Sequence, residues 1–223
     1  MNRFGNIAAA VLVAAGLIGI GCAQAADEAS ILAHANATVS DLKHDPVFGN
    51  ARATLRNARA VLIVPRLVKG GFIFGAEGGD GVLMARTRRG WSAPAFYTLG
   101  SASFGLQIGL EQAELVMFIM SDRALRGIEQ GKFKLGAGAG LTLITLGAAA
   151  EGATPANLAG DIIIWSVAKG VYGGITLNGS VVAPQNDENA EFYGRPVSVR
   201  EILSGAVRNP AAAGLRANLS TAW

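Results

Sequence analysis

The sequence predicts an α+β protein with a Gly-rich, largely antiparallel curled sheet, barrel-like or sandwich-like, flanked by N-terminal and C-terminal helices. Three observations predict it. The chain of 223 residues is 51% hydrophobic and 16% charged, too apolar and too poor in charge for a disordered protein. Its 30 glycines are nearly twice the usual share, which is typical of tight turns and close backbone contacts. Short apolar runs broken by Gly-rich turns fill the middle of the chain.

Residues 1–25 are predicted to be a secretory signal peptide. Arg3 provides the positive charge, residues 7–20 are apolar, and Ala23-Gln24-Ala25 gives a small-x-small cleavage site. The apolar run is shorter than the roughly 20 residues of a spanning helix, so a membrane anchor is the less favoured alternative. We therefore expect residues 26–223 to form one exported domain in the periplasm or outside the cell.

Cys22 leaves a second route of processing open. The sequence Gly19-Ile20-Gly21-Cys22 resembles a bacterial lipobox, although the usual Leu three positions before the Cys is absent. Acylation at Cys22 would attach the protein to the outer membrane, whereas cleavage after Ala25 would remove the only Cys. With one Cys and two His in the chain, we expect neither an intramolecular disulfide nor a Cys/His zinc site.

Two helices are predicted before the sheet. Apolar residues recur at spacings of three and four over residues 28–44, and Pro46 ends or interrupts this helix. The second helix covers residues 48–59. One side carries Phe48, Ala51, Leu55 and Ala58, and a neighbouring side carries what we call the arginine stripe: Arg52, Arg56 and Arg59.

The middle of the chain is predicted to be strands and turns. The apolar run 60–64 is expected to stop at Pro65, and 77–80 is expected to be a turn between strands 71–75 and 81–86. Residues 88–90 are predicted to form a hairpin turn. Further strands are predicted at 91–98, 103–109, 113–120, 134–150, 161–167, 171–177 and 180–182.

The remaining helices are predicted from their caps. Ser121 can cap a helix that runs to about Gln130 and stops at Gly131. A capping box, Ser198 to Glu201, opens a helix to about residue 207, and Asn209-Pro210 opens a last helix to about 219. The acidic cluster 187–191 lacks the spacing of a calcium loop and is predicted to be a solvated loop, the alternative being a weak cation site.

The motifs do not predict an enzyme. The Gly-rich segments 75–81 and 136–140 lack the strand–loop–helix context and the Gly-Lys-Ser/Thr of a phosphate loop. Ser166 to Lys169 has the Ser-x-x-Lys spelling of acyl-transferring enzymes but not their additional motifs. No nucleophile–base pair is readable, which disfavours a lipid hydrolase. We expect no cofactor and no metal, and a net charge of +3 does not predict a nucleic-acid partner.

The arginine stripe predicts contact with anionic lipid headgroups, the alternative being an ordinary solvated helix face. Each Lys or Arg near an anionic surface contributes about 1 kcal/mol, so three strengthen partitioning about a hundredfold. Arg66 and Lys69 are weaker additions. Phe48 and Leu55 are expected to insert shallowly into the bilayer or to shift away from the sheet.

The chain resembles the SYLF lipid-binding domain family, because many motifs occur in the family's order. The family's opening is matched by Ala60-Val61-Leu62-Ile63-Val64-Pro65 together with Lys69-Gly70-Gly71-Phe72. Its later motifs are matched, in order, by residues 78–83, 90–96, 105–109, 168–175, 189–194 and 201–205. The resemblance implies a non-enzymatic domain. Eukaryotic members bind phosphoinositide membranes, partly through an N-terminal basic amphipathic helix, and some bind actin filaments.

Residues 48–59 match that helix in place and character, so the resemblance gives the lipid role to Arg52, Arg56 and Arg59. Bacterial relatives are mostly exported, and an exported protein does not meet actin. We therefore expect an anionic phospholipid membrane as the partner, and no actin. The alternative is a protein-interaction module of the cell envelope that binds a protein partner without binding lipid directly.

Overall fold

The computed structural model describes residues 21–44, 48–71, 74–104, 109–131, 133–135, 141–143, 160–169, 177 and 179–221. Within these ranges, a nine-stranded sheet carries helices on both of its faces. The helices are α1 Gly21–His44, α2 Phe48–Asn57, α3 Asp122–Glu129, α4 Asn186–Tyr193, α5 Val199–Leu203 and α6 Ala213–Ser220, with a 3-10 turn Pro210–Ala212 directly before α6. The strands are β1 Ala60–Gly71, β2 Phe74–Thr87, β3 Gly90–Trp91, β4 Ala95–Phe104, β5 Gly109–Ile119, β6 Phe133–Lys134, β7 Leu141–Leu143, β8 Ile162–Lys169 and β9 Val181–Pro184.

The order of strands across the sheet is β6-β9-β4-β2-β1-β5-β8-β7, and β3 pairs with the end of β2. Among the described strands, every pair is antiparallel except β7 with β8. Consecutive strands pair at β1–β2 and β2–β3, whereas β1 with β5, β5 with β8 and β4 with β9 are neighbours that lie far apart in the chain. The predicted fold class, a curled and largely antiparallel sheet with N-terminal and C-terminal helices, is confirmed.

The central strand β1 is buried on both faces, which explains its continuous apolar sequence. Val61 and Ile63 point into one core, and Ala60, Leu62 and Val64 point into the other. All five side chains are fully buried. Each large aliphatic side chain buried in this way contributes about 1.5–3 kcal/mol, so β1 is a principal source of stability.

Different helices cover the two faces of the sheet. The face that we call the α1-side core is covered by α1, α2 and α6, which contribute Leu32, Ala35, Val39, Leu42, Ala51, Leu55, Ala58, Leu215 and Leu219. The other face, the α3-side core, is covered by α3 and α5, which contribute Ala124, Ile128, Val199, Ile202 and Leu203. The terminal helices therefore form one layer of the protein.

Pro65 does not end the first strand, contrary to the prediction. β1 continues through it to Gly71, and its register with β5 shifts between Val64 and Leu67. Its register with β2 shifts over the same segment. Proline has no N–H to donate to a neighbouring strand, so it is tolerated in a sheet where the pairing is interrupted. The bulge provides that interruption.

Residues 77–80 are strand rather than the predicted turn. They lie within β2 and pair in register with residues 98–101 of β4. The glycines here are required by close packing: a Cβ added at Gly79 would lie 2.4 Å from the Arg66 carbonyl oxygen, and one at Gly81 would lie 2.2 Å from the Ile63 carbonyl oxygen. A sequence that reads as turn-forming therefore marks the place where β1 and β2 cross closely.

The acidic cluster 187–191 forms most of helix α4 rather than the predicted solvated loop. Asp187 and Glu188 lie in its first turn, where a helix favours negative charge. Asn189 is fully buried: its Oδ1 accepts from the Phe96 N–H at 2.8 Å and its Nδ2 donates to the Phe96 carbonyl at 3.2 Å. This tertiary hydrogen-bond pair with β4 was not visible in the local sequence.

The predicted caps are confirmed. The Ser121 hydroxyl accepts from the Ala124 N–H, the Ser198 hydroxyl accepts from the Glu201 N–H, and the Asn209 side chain accepts from the Ala211 N–H. Gly131 has φ +82° directly after α3, as a C-terminal stop requires. The hairpin turn at 88–90 is also present, whereas α5 ends at Leu203, earlier than predicted.

Several predictions fall outside the described residues. They include most of the signal peptide, the Gly-rich segment 136–140 and most of the strands predicted at 134–150 and 171–177. Within the described ranges, the sheet covers the remaining predicted strands, with a break at 92–94. In the part of the chain that the structure describes, no helix has the length and apolar character needed to cross a membrane.

Candidate functional site

Helix α2 is held to the sheet by one apolar side. Ala51 and Leu55 are buried in the α1-side core, together with Ala58 directly after the helix. Thr54 is buried beside them at 5% exposure. The spacing of four and three that predicted this side from the sequence is the spacing that faces the sheet.

The neighbouring side of α2 carries Arg52 and Arg56, the first two residues of the arginine stripe. Arg52 and Arg56 are exposed and lie four residues apart, so they are neighbours on the helix surface. The helix sequence Phe48–Asn57 contains no acidic residue. Like charges at this spacing destabilise a helix by about 0.2–0.5 kcal/mol.

Arg86 of β2 holds the C-terminal end of α2 in place. Its Nη2 donates to the Leu55 carbonyl at 2.9 Å and its Nε donates to the Ala58 carbonyl at 3.3 Å. These carbonyls lie where a helix leaves its last acceptors without intrahelical partners, and a cation there also complements the helix dipole. Partial burial lowers the pKa of Arg86 from its usual value. Two hydrogen bonds from Arg86 therefore fix the end of α2 to the sheet.

Arg59 connects α2 to its neighbours. Its N–H donates to the Ile119 carbonyl at 2.7 Å, and its carbonyl accepts from the Arg86 N–H at 2.8 Å. Its Nε lies 3.3 Å from an Asp122 carboxylate oxygen, and both side chains are about 60% exposed, at 59% and 61%. An exposed ion pair contributes about 0–1 kcal/mol. The third arginine of the stripe is thus paired, but on the surface rather than inside the protein.

Leu55 corrects part of the expected insertion mechanism. It is 0% exposed, so it cannot insert into a bilayer while α2 is docked, because its whole side chain already packs in the α1-side core. Of the two movements expected for Leu55, only the shift of α2 away from the sheet would expose it. The side chains of Phe48, Lys69 and Cys22 lie outside the described ones, so their roles stay predictions.

Arg66 is exposed but lies apart from the arginine stripe. It is seven residues beyond Arg59 along β1, which corresponds to about 20 Å of strand. The structure therefore brings Arg52, Arg56 and Arg59 together at one end of the sheet and places Arg66 elsewhere.

The sequence missed a second group of arginines at the same end of the sheet. A pocket of about 510 Å³ lies between the β2–β3 hairpin, the segment after α5 and helix α6, and we call it the arginine pocket. Its described lining includes Arg86, Arg88, Arg89, Arg208 and Arg216. The sequence pattern indicates only a turn at Arg88 and Arg89. Arg208 and Arg216 lie more than 100 residues further along the chain, so no local spacing connects the two groups.

Buried Glu77 serves a structural role. The buried carboxylate of Glu77 accepts hydrogen bonds from the hydroxyls of Ser101 at 2.9 Å and Ser180 at 3.0 Å. Ser166 lies within strand β8, not at the start of a helix as an acyl-transferring serine would. In the described part of the chain, no group of three or more His, Cys, Asp or Glu side chains could hold a metal ion.

Comparison with known proteins identifies the family. Residues 100–222, more than half of the chain, match the Ysc84 family, described as "Las17-binding protein actin regulator". The description names a regulator of actin and no enzymatic activity.

Individual relatives agree. The chain is similar to Protein YSC84 of Saccharomyces cerevisiae, with 32% identity over 182 residues that cover 78% of this chain and 39% of the relative. It is also similar to LAS seventeen-binding protein 3 of the same yeast, with 30% identity over a region that covers 78% of this chain and 39% of the relative. SH3 domain-containing YSC84-like protein 1 of Rattus norvegicus is 31% identical over a region that covers 68% of this chain and 45% of the relative. The chain therefore spans about two fifths of the length of these relatives, and it belongs to the Ysc84 family, the SYLF family that its motifs resemble.

Proposed function

We propose that this protein is a non-enzymatic lipid-binding protein that associates with anionic phospholipid membranes through the arginine stripe, which lies on α2 and just beyond its C-terminal end. The stripe consists of Arg52, Arg56 and Arg59. Export to the cell envelope, predicted from residues 1–25, belongs to the same proposal. A membrane of the envelope is the partner that the exported protein would meet.

The observation that carries the proposal is the division of α2 into two sides. One side is anchored in the core by Ala51 and Leu55, and the other presents Arg52 and Arg56 without any acidic residue in the helix. A docked helix of this kind holds its cations on an outer surface, where a planar anionic partner can approach them. At about 1 kcal/mol each, the three arginines strengthen partitioning about a hundredfold.

Binding of this kind is reversible. Three surface cations give weak attachment, and stable anchoring takes a second signal such as an acyl chain or a buried apolar side. Acylation of Cys22 would be one such signal, and movement of α2 that exposes Leu55 would be another. The intact mass of the exported protein distinguishes an acylated Cys22 terminus from a bare Ala26 terminus.

The test is co-sedimentation with liposomes of increasing anionic lipid content. Replacing Arg52, Arg56 and Arg59 by Ala should weaken binding about a hundredfold, and added salt should weaken binding of the unaltered protein. The matched control replaces Arg123, Arg126 and Arg200 by Ala, which are exposed and remove the same charge elsewhere. Equal binding by both triple variants would exclude the arginine stripe as the lipid site.

A protein-interaction module is the second candidate. It is favoured by the names of relatives such as LAS seventeen-binding protein 3, which state a protein partner for those proteins. The relatives are longer than the matched region, so the partner's contact can lie in either part of them. Capture of one defined envelope protein by the purified chain, together with no liposome binding at any lipid composition, would favour this function.

A further inference from the structure

The arginine pocket is walled by three separate parts of the chain. The β2–β3 hairpin supplies Arg86 to Ala93, the segment after α5 supplies Leu203 to Arg208, and α6 supplies Arg216. Its volume, about 510 Å³, falls within the range of about 300–1,000 Å³ that is usual for small-molecule sites. A site of this size takes an organic molecule rather than a simple ion.

The charge of the lining is one-sided. Five of the described lining residues are arginines, and none of the described lining residues is acidic. The chain as a whole has a net charge of only +3, so this excess is local and not a reflection of a basic protein. Clustered guanidinium groups repel one another unless an anion lies between them, which makes a multiply charged anion the matching ligand.

Two of the arginines are held in place by the fold. Arg86 stacks on the Trp91 ring, with its guanidinium carbon 4.5 Å from the ring centroid, and is bonded to the carbonyls at the end of α2. The Nε of Arg216 donates to the Trp91 carbonyl at 3.0 Å. The terminal nitrogens of Arg216 carry four further N–H donors. A site whose donors are fixed in advance loses less side-chain entropy on binding.

The remaining arginines lie on more accessible positions. Arg88 and Arg89 occupy the turn of the hairpin, and Arg208 lies on the facing segment, all three exposed. The turn itself is tied by Thr87, whose hydroxyl donates to the Gly90 carbonyl at 2.8 Å and accepts from the Arg89 N–H at 3.2 Å. Two exposed arginines of the hairpin and a third on the segment after α5 therefore line the same pocket.

We propose that the arginine pocket binds a phosphate monoester. A phosphate monoester carries about −1.5 to −2 charges at pH 7 and presents three terminal oxygens, so guanidinium groups on different walls can each bond to it. The planar fork of arginine fits two of these oxygens at once. The remaining space beside Ala93, Leu203 and Val207 accommodates an apolar part of the ligand. This site does not depend on the proposed role of the arginine stripe.

Two sources offer this chemistry, and the experiment separates them. Glycerol 3-phosphate represents a soluble ester and is titrated into the purified chain by calorimetry, with sulfate as the comparison anion. Vesicles containing phosphatidic acid represent the lipid source. They are compared with phosphatidylglycerol vesicles of the same surface potential, because that lipid carries only a phosphate diester.

The test variant replaces Arg88 and Arg208 by Ala, both exposed and on opposite walls. Each replacement should weaken binding about tenfold or more, as expected for a lost hydrogen bond between charged groups. Arg123→Ala with Arg126→Ala is the control with the same change in charge, and its binding should equal that of the unaltered chain. The variant without the arginine stripe should still bind glycerol 3-phosphate, so failure of the membrane proposal is distinguishable from failure of this one.

Saturable binding of glycerol 3-phosphate that the test variant loses supports a soluble ligand. If the chain binds phosphatidic acid vesicles more tightly than phosphatidylglycerol vesicles but does not bind glycerol 3-phosphate, and the test variant loses this preference, the ligand is a lipid headgroup. The proposal is overturned if sulfate binds as well as the ester, or if neither probe distinguishes the test variant from its control.

Discussion

Helices α2 and α3 pack against the sheet in the same simple way, but the charges on their outward sides differ. Each is short and packs against the sheet through an alanine and one large aliphatic residue, Ala51 and Leu55 in α2, Ala124 and Ile128 in α3. Each also has a C-terminal carbonyl that accepts from a side chain of the sheet. Arg86 donates to Leu55 in α2, and the hydroxyl of Tyr97 donates to Ile128 in α3 at 3.2 Å.

The outward sides differ in how charge is arranged. In α3, Arg123 and Arg126 share the helix with Asp122 and Glu129, and Arg123 is paired with Asp161. In α2 the arginines have no acidic residue within the helix. Docking to the core therefore does not explain the surface of α2, since α3 docks equally well with mixed charges.

The largest expected effect comes from removing the core contact of each helix. Leu55→Ala and Ile128→Ala should each lower the free energy of unfolding by about 2–5 kcal/mol, because both side chains are fully buried. Denaturant titration measures the loss. Hydrogen exchange should show faster opening of α2 in the first variant and of α3 in the second. If each variant opens both helices equally, the two are one unit and the comparison fails.

An intermediate effect is expected at alkaline pH, and it concerns α3 rather than α2. Burial, reinforced by the charge of Glu129, raises the pKa of Tyr97 above its usual 10.0, and burial also raises the pKa of Tyr193. The folded protein therefore holds these protons more tightly than the unfolded chain. Their contribution is complete below pH 10 and should be lost above it, by about 1.4 kcal/mol per pH unit for each tyrosine.

Tyr97→Phe should make this alkaline loss less steep while costing about 1 kcal/mol at neutral pH for the missing hydrogen bond. Unfolding midpoints between pH 8 and pH 12 measure both quantities. An unchanged alkaline slope in Tyr97→Phe would show that another group controls it.

The smallest expected effect concerns the ion pair that joins the two helices. Asp122→Asn should change the free energy of unfolding by less than about 1 kcal/mol, because the pair is exposed. It should strengthen liposome binding about fivefold by releasing Arg59 to the lipid surface. Asp161→Asn, which releases Arg123 on α3, is the matched control. Equal gains in both variants would mean that net charge alone matters.

The features that sequence predicted best are those set by neighbours in the chain. The Ser121 cap and the Gly131 stop of α3 depend on residues within one helical turn, and both are confirmed. The apolar side of α2 follows from a spacing of three and four, and Leu55 is buried as that spacing requires. Whether its arginines touch lipid stays a prediction.

The features that sequence missed depend on distant partners. Gly78 and Gly79 read as a turn until β4 is placed beside them, and Pro65 reads as a stop until the bulge in β1 is known. Asn189 is buried by a bond pair with Phe96, far away in the chain. The arginine pocket joins residues 86 and 216, and no periodicity can connect positions that only the folded sheet brings together.

Gly79 and Gly81 have a consequence for redesign of this scaffold. The nearest atoms that a side chain would meet there are main-chain carbonyl oxygens of β1, so no rotamer change can make room. Widening the curve of the sheet would therefore require rebuilding two adjacent strands. A protein engineer who wants a larger interior should keep this crossing and enlarge the scaffold elsewhere.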